Sequence, residues 1–141
     1  MESRQVVMDK AASIHTAEGF FNAYRNRDLD KMVAQCNPEG ELRYVPLGTQ
    51  VEGKIGTTGR TIWSGLLDAA PDLINRVELI FADTEGNIYT EVVLSGTLAK
   101  EFAGMRSLGR YFVLPHAFIL KVGGEETRIQ LIVVYWDFPN V

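Results

Sequence analysis

Between residues 6 and 26 the apolar side chains Val7, Ala11, Ile14, Ala17, Phe21 and Tyr24 recur at spacings of three and four, with Phe20 beside them. That spacing predicts an amphipathic helix. Asp28 is placed to cap a second helix with Leu29, Met32, Val33 and Cys36 as its buried stripe. Asn37-Pro38 stops it, because the residue before a proline avoids helical backbone. Residues 41–47 then alternate as a short strand closed by Gly48, with Leu42, Tyr44 and Pro46 on one face and Arg43 and Val45 on the other. Gly53, Gly56 and Gly59 punctuate a loop, but no suitable strand precedes them and no Gly-Lys-Ser or Gly-Lys-Thr follows, which argues against a phosphate loop. A third helical stripe, Ile62, Trp63, Leu66, Leu67 and Ala70, ends at Pro71.

From Leu73 onward the period changes to two. Residues 73–82 and 88–98 read as strands joined by a turn at Glu85-Gly86-Asn87. Residues 110–122 and 127–137 form a second pair around Gly123-Gly124. Helices first and antiparallel strands after them is a segregated α+β order, unlike alternating βαβ units. In the last strand Gln130, Ile132, Val134 and Trp136 share one face, and Ile129, Leu131, Val133 and Tyr135 share the other. Both rows are apolar, so the outer row needs a cover. A second copy of the chain is the simplest one, and a homodimer through the convex sheet face is predicted.

Composition narrows the class. A length of 141 residues with 46% hydrophobic and 23% charged residues fits one ordinary domain, residues 1–141, and neither a disordered nor a membrane protein. The net charge of −4 comes without a cluster of Lys and Arg able to neutralise a row of phosphates, so nucleic acid is excluded as a partner. The apolar run 131–136 is far short of the roughly 18 residues that a membrane helix needs. The first ten residues carry Glu2, Arg4, Asp9 and Lys10 and lack a secretory pattern, so a cytoplasmic location is expected. Cys36, the single cysteine, cannot form an intrachain disulfide and reads as a small buried hydrophobe. The two histidines, His15 and His116, have no metal-ligand spacing, and neither a metal nor a cofactor is expected.

Four local signatures, in order, carry a resemblance. They are residues 21–30 (Phe-Asn-Ala-Tyr-Arg-Asn-Arg-Asp-Leu-Asp), Ala70-Pro71-Asp72-Leu73, residues 101–110 (Glu-Phe-Ala-Gly-Met-Arg-Ser-Leu-Gly-Arg) and Tyr135-Trp136-Asp137. With the element order they resemble the nuclear transport factor 2-like superfamily and, within it, the SnoaL-like polyketide cyclases. The resemblance implies a cone-shaped α+β roll: three N-terminal helices packed on a curved mixed or antiparallel sheet around an internal apolar pocket. The superfamily spans cyclases, isomerases, dehydratases, epoxide hydrolases and non-catalytic domains, so fold alone does not assign an activity.

Neither catalytic set known for these folds is intact here. The resemblance puts the acid-base aspartate of SnoaL-like cyclases on Val134, the base of ketosteroid isomerase near Tyr44, and that enzyme's oxyanion tyrosine near Phe20. The remaining candidate is His116, which shares the inner face with Phe112, Leu114 and Phe118. SnoaL-like cyclases place a histidine nearer Phe118, and a shift of two keeps the same face. An imidazole with an ordinary pKa near 6.5 can act as base, acid or donor, or it can be a neutral core residue bonded to a nearby carbonyl. Tyr44 is the accessory donor candidate. Phe20, Tyr24, Trp63, Phe112, Leu114, Phe118, Val134 and Trp136 are the expected ligand-binding walls, where core packing and ring binding overlap. His15 and Asp137 read as solvated and edge residues, and Glu91 as convex-face. The leading expectation is a cofactor-independent cyclase or isomerase acting on a small hydrophobic carbonyl compound by proton transfer. The alternative is a non-catalytic apolar-ligand-binding or dimerisation module of the same fold.

Overall fold

The computed structural model describes residues 9–47, 52–102 and 109–136. Helix α1 (Lys10–Arg25) begins at Asp9, whose carboxylate accepts from the Ala11 N–H at 2.9 Å. Its face of Ala17, Phe20, Phe21 and Tyr24 is buried, while Ala11 and His15 are exposed. The chain leaves α1 through Arg27, a non-glycine residue in left-handed backbone with φ of 60°. Its guanidinium donates to the Leu67 and Ala70 carbonyls. Asp28 caps α2 (Leu29–Ala34) by accepting from the Lys31 N–H at 3.1 Å.

The next strand starts earlier than its sequence pattern predicts. Cys36 lies not in α2 but at the start of β1 (Cys36–Tyr44), where it pairs with Ile129. Its spacing from Leu29 and Met32 fits a helix, but parallel pairing with the last strand captures it, and Gln35 accepts from the Ile129 N–H at 2.9 Å. The Cys36 side chain is buried as expected, and burial pushes its thiol up to about 12 against the opposing charge of Arg128. Strand β1 stops at Tyr44, and Val45–Leu47 form a 3-10 turn, so Val45 and Pro46 do not extend the strand. The glycine loop contains a short strand, β2 (Glu52–Lys54), and a π-helical turn, Ile55–Gly59. Three residues are too few to show a period of two. Gly53 is required there: a Cβ would lie 2.1 Å from Thr58 Oγ1. Helix α3 (Arg60–Ala69) follows.

Strands β3 (Ile74–Ala82), β4 (Asn87–Thr97), β5 (Tyr111–Gly123) and β6 (Arg128–Tyr135) complete a six-stranded sheet in the order β2-β1-β6-β5-β4-β3. All neighbours are antiparallel except β1 and β6, so the sheet is mixed. Gly86 and Gly124 take φ of 86° and 82° in the two hairpin turns, a conformation that side chains disfavour. Register breaks once in β6: Lys121 faces Leu131, yet Val122 faces Ile129. Gln130 is the extra residue of this bulge. It corrects the simple alternation, because Ile129 turns into the core beside Ile132 instead of joining Leu131 outside. The Gln130 amide accepts from Asn37 Nδ2 at 2.8 Å and donates to the Gly123 carbonyl at 3.1 Å.

Leu42, Tyr44, Val92, Leu94, Phe118, Leu120, Ile132 and Val134 form the inner face of the sheet and share one core with α1 and α3. The chain is the expected α+β fold, three helices packed against an open, curved mixed sheet. The opposite face leaves Ile74, Leu79, Phe81, Tyr89, Val113 and Tyr135 between 36% and 56% exposed. No described helix is long and apolar enough to cross a membrane.

Candidate functional site

Strand β5 carries His116 on the inner face, opposite Val92 and between Leu114 and Phe118. The residue is 8% exposed. Its Nδ1 lies 2.9 Å from the Leu114 carbonyl oxygen. A carbonyl only accepts, which assigns the ring proton to Nδ1 and leaves Nε2 with a lone pair. Trp136 packs against the imidazole with ring centres 4.9 Å apart, and Phe118 stacks at 6.0 Å. Burial lowers the His116 pKa below its usual 6.5, and the Leu114 bond opposes this only in part. The side chain is therefore a neutral acceptor at pH 7.

Two phenols belong to the same region. Tyr44, opposite Val134 at the end of β1, is buried, and its oxygen accepts from Trp63 Nε1 at 2.8 Å. That bond leaves the Tyr44 proton for another acceptor and polarises the O–H. Burial raises the Tyr44 pKa, with the Trp63 bond working the other way. Tyr24, on α1, has its pKa raised well above 10, first by burial and then by Tyr44. Both phenols keep their protons.

These groups border a narrow, partly open cavity of about 40 Å³. Of the sequence-derived candidates, Tyr24, Tyr44, Phe112, Leu114, His116 and Trp136 line it. Phe20, Trp63, Phe118 and Val134 stand behind the wall as core. The Phe20 and Trp63 rings meet edge to face at 5.3 Å, Phe118 meets Phe21 at 5.2 Å, and Val134 pairs with both Phe118 and Tyr44. Leu47, Ile62, Leu66, Leu94 and Phe102 also line the cavity. Ile62 and Leu66 lay in the third helical stripe, and inner parity could have found Leu94. Leu47 ends the 3-10 turn that replaces the last residues of the predicted 41–47 strand, and Phe102 belongs to the 101–110 signature, but neither position has a periodicity that aims it at the cavity.

No lining side chain carries a permanent charge. The volume holds a few waters and falls well below the roughly 300 Å³ at which drug-sized pockets begin. A wider open groove of about 430 Å³ runs among the outer-face residues Glu91, Pro115, Ala117 and Tyr135 and is also bordered by His116 and Trp136, which thus touch both spaces. Glu91 is on that outer face, as expected, and His15 is exposed on α1. Asp137 and most of the 101–110 segment lie outside the described residues. Among the described residues, no three His, Cys, Asp or Glu side chains are grouped to hold a metal ion.

No protein-family model matches the sequence, and no curated protein matches it. Solved structures do match. The fold is that seen in solved SnoaL-like and other candidate polyketide cyclase structures. A Jannaschia sp. CCS1 chain assigned to the SnoaL-like polyketide cyclases superposes with a TM-score of 0.74 at 15% identity, over 97% of this chain and 91% of that one. IdmH, a candidate polyketide cyclase from Streptomyces antibioticus, gives 0.73 at 21% identity over 89% and 91%. An LEH-like epoxide hydrolase of M. tuberculosis gives 0.70 at 19% over 91% and 84%. At these identities the likeness concerns the fold.

Proposed function

We propose that this protein is a cofactor-independent enzyme of the cyclase or isomerase type, moving a proton on a small, uncharged carbonyl compound. The observation that carries the reading is His116: a neutral imidazole with a free Nε2 lone pair at the wall of an uncharged, aromatic cavity. In such a site His116 Nε2 takes the proton from the carbon beside the carbonyl. The Tyr44 hydroxyl, polarised by Trp63, donates to the carbonyl oxygen as negative charge develops there. His116 then returns the proton at another position. Val134 supplies no second acid-base group, so one imidazole serves both steps. With only about 40 Å³ open, a ring-sized ligand seats when wall side chains such as Leu66 and Phe102 shift.

Deuterium incorporation at the α-carbon of 2-tetralone, followed by NMR, tests this without knowledge of the natural substrate. His116→Gln should slow incorporation at least about tenfold while the fold is retained. An unchanged rate overturns the assignment.

A second reading, a non-catalytic binding or dimerisation module, draws on the small cavity and on Val134. Binding of 2-tetralone with no exchange above the buffer rate would favour it. In either case we propose a homodimer through the outer sheet face, supported by the exposed apolar row from Ile74 to Tyr135.

A further inference from the structure

Gly65 lies in the interior of α3, between the cavity-lining residues Ile62 and Leu66. A glycine inside a helix weakens it, because no other residue gives up as much backbone freedom on folding. Sterics do not demand one here. A Cβ at position 65 would lie 3.4 Å and 3.7 Å from Phe102 Cε1 and Cδ1, which is ordinary contact, and would meet no other neighbouring element within 4 Å among the described residues. The Phe102 ring therefore rests on bare helix backbone. One helical turn further along α3 its own segment is tied down: the Ala99 N–H donates to the Ala69 carbonyl at 2.7 Å, and Lys100 pairs with Asp68 at 2.9 Å. Phe102 is half-buried and also lines the cavity. Other wall residues stand on helices (Tyr24, Leu66) or strands (Leu94, Phe112), whose backbone bonds hold them, whereas Phe102 follows β4 and stands on neither. The cavity has about 40 Å³ open, far below the roughly 150 Å³ that accepts benzene, so a ring enters only if the wall yields.

We propose that Phe102 is the wall side chain that moves aside for a ring-sized ligand, and that Gly65 sets how easily it moves and so determines the ligand size that the cavity admits. The inference rests on the ligand-handling reading above, and it does not depend on proton transfer by His116. A site that is mostly closed binds with an affinity reduced by the fraction of molecules in which it is open. With no Cβ beneath it, the ring gives up no side-chain contact at position 65 when it leaves. A methyl group there adds a contact that exists only while the ring covers the helix, so Gly65→Ala favours the closed cavity. The same methyl raises helix propensity whether the ring is in or out. Stability and affinity therefore move in opposite directions.

Chemical-shift titrations with 2-tetralone, with Tm measured in parallel, test this on the wild type, Gly65→Ala, Phe102→Ala and the double variant. Gly65→Ala should bind 2-tetralone at least about threefold more weakly than the wild type, the factor that one buried CH₂ corresponds to. Its Tm should stay equal or rise by about 2–4 °C. In the Phe102→Ala background the same substitution should change the affinity by less than about 1.5-fold, because the ring through which it acts is gone. An affinity in Gly65→Ala equal to that of the wild type overturns the inference, and so does a loss that persists without the Phe102 ring. A Tm lower by several degrees in Gly65→Ala also overturns it, because the methyl would then displace the ring and not retain it. In each of these cases the wild type still binds, so the ligand-handling reading survives. If 2-tetralone does not bind the wild type, that reading and the inference fall together.

Discussion

Three polar side chains meet at an uncharged cavity, and burial holds each in its neutral form. For His116 this has two consequences with pH. The folded-state pKa is depressed, so below about pH 6.5 the unfolded chain takes up a proton that the native protein resists. The stability contributed by the neutral imidazole is fully present above that pH and is lost as pH falls toward and through the folded value. His116→Gln should therefore flatten the stability profile on the acid side of about pH 6.5, as read by urea midpoints. Catalysis by a base gives the same direction: exchange of 2-tetralone should be level above about pH 6.5 and fall in acid, with the midpoint below 6.5. A midpoint above 7 would contradict a desolvated imidazole.

At the scale of elements, close backbone contacts set which side chains face the cavity. Gly40 lies where β1 passes the β6 bulge, and a Cβ there would come within 2.5 Å of the Gln130 carbonyl oxygen and 3.0 Å of that of Asn37. Both are backbone atoms, so relief requires a strand to move. Gly40→Ala should cost about 1–3 kcal/mol, seen as a lower urea midpoint with an unchanged slope. No loss would mean that β1 relaxes freely. Arg27 ties a second junction, joining the α1–α2 turn to the last carbonyls of α3. Arg27→Ala removes these bonds and should destabilise by about 1–2 kcal/mol, with Arg27→Lys recovering part of it.

For the whole molecule, the outer sheet face is the feature left unexplained by the core. Leu79 and Phe81 are 46% and 51% exposed, and Phe81 stacks on Tyr89 at 5.3 Å. A stable dimer of ordinary size buries about 1,600 Å² in total, which a six-stranded face can supply. Light scattering should give twice the chain mass for the wild type and a single-chain mass for the double variant Leu79→Glu/Phe81→Glu, with circular dichroism unchanged. A monomeric wild type at about 10 μM would remove the homodimer from consideration.

Much of the architecture was legible in the chain itself, because helical stripes and strand alternation report burial locally. The three helices, both hairpins, the turns at Gly86 and Gly124 and the inner placement of His116 all follow from spacing. Contacts between distant segments decided the rest. Parallel pairing drew Cys36 out of a helical pattern, the Gln130 bulge turned Ile129 inward, and a strand as short as β2 has no period to read. The same holds at the cavity. Sequence put aromatic residues on the inner side, but only tertiary packing separates the wall residues Tyr24 and Trp136 from the core residues Phe20, Trp63, Phe118 and Val134. It also left the Tyr24 hydroxyl unpartnered among the described residues while bonding that of Tyr44 to Trp63. Periodicity determines which face a side chain takes, whereas a partner arrives from elsewhere in the chain, and so the residues were readable in advance but their hydrogen bonds were not.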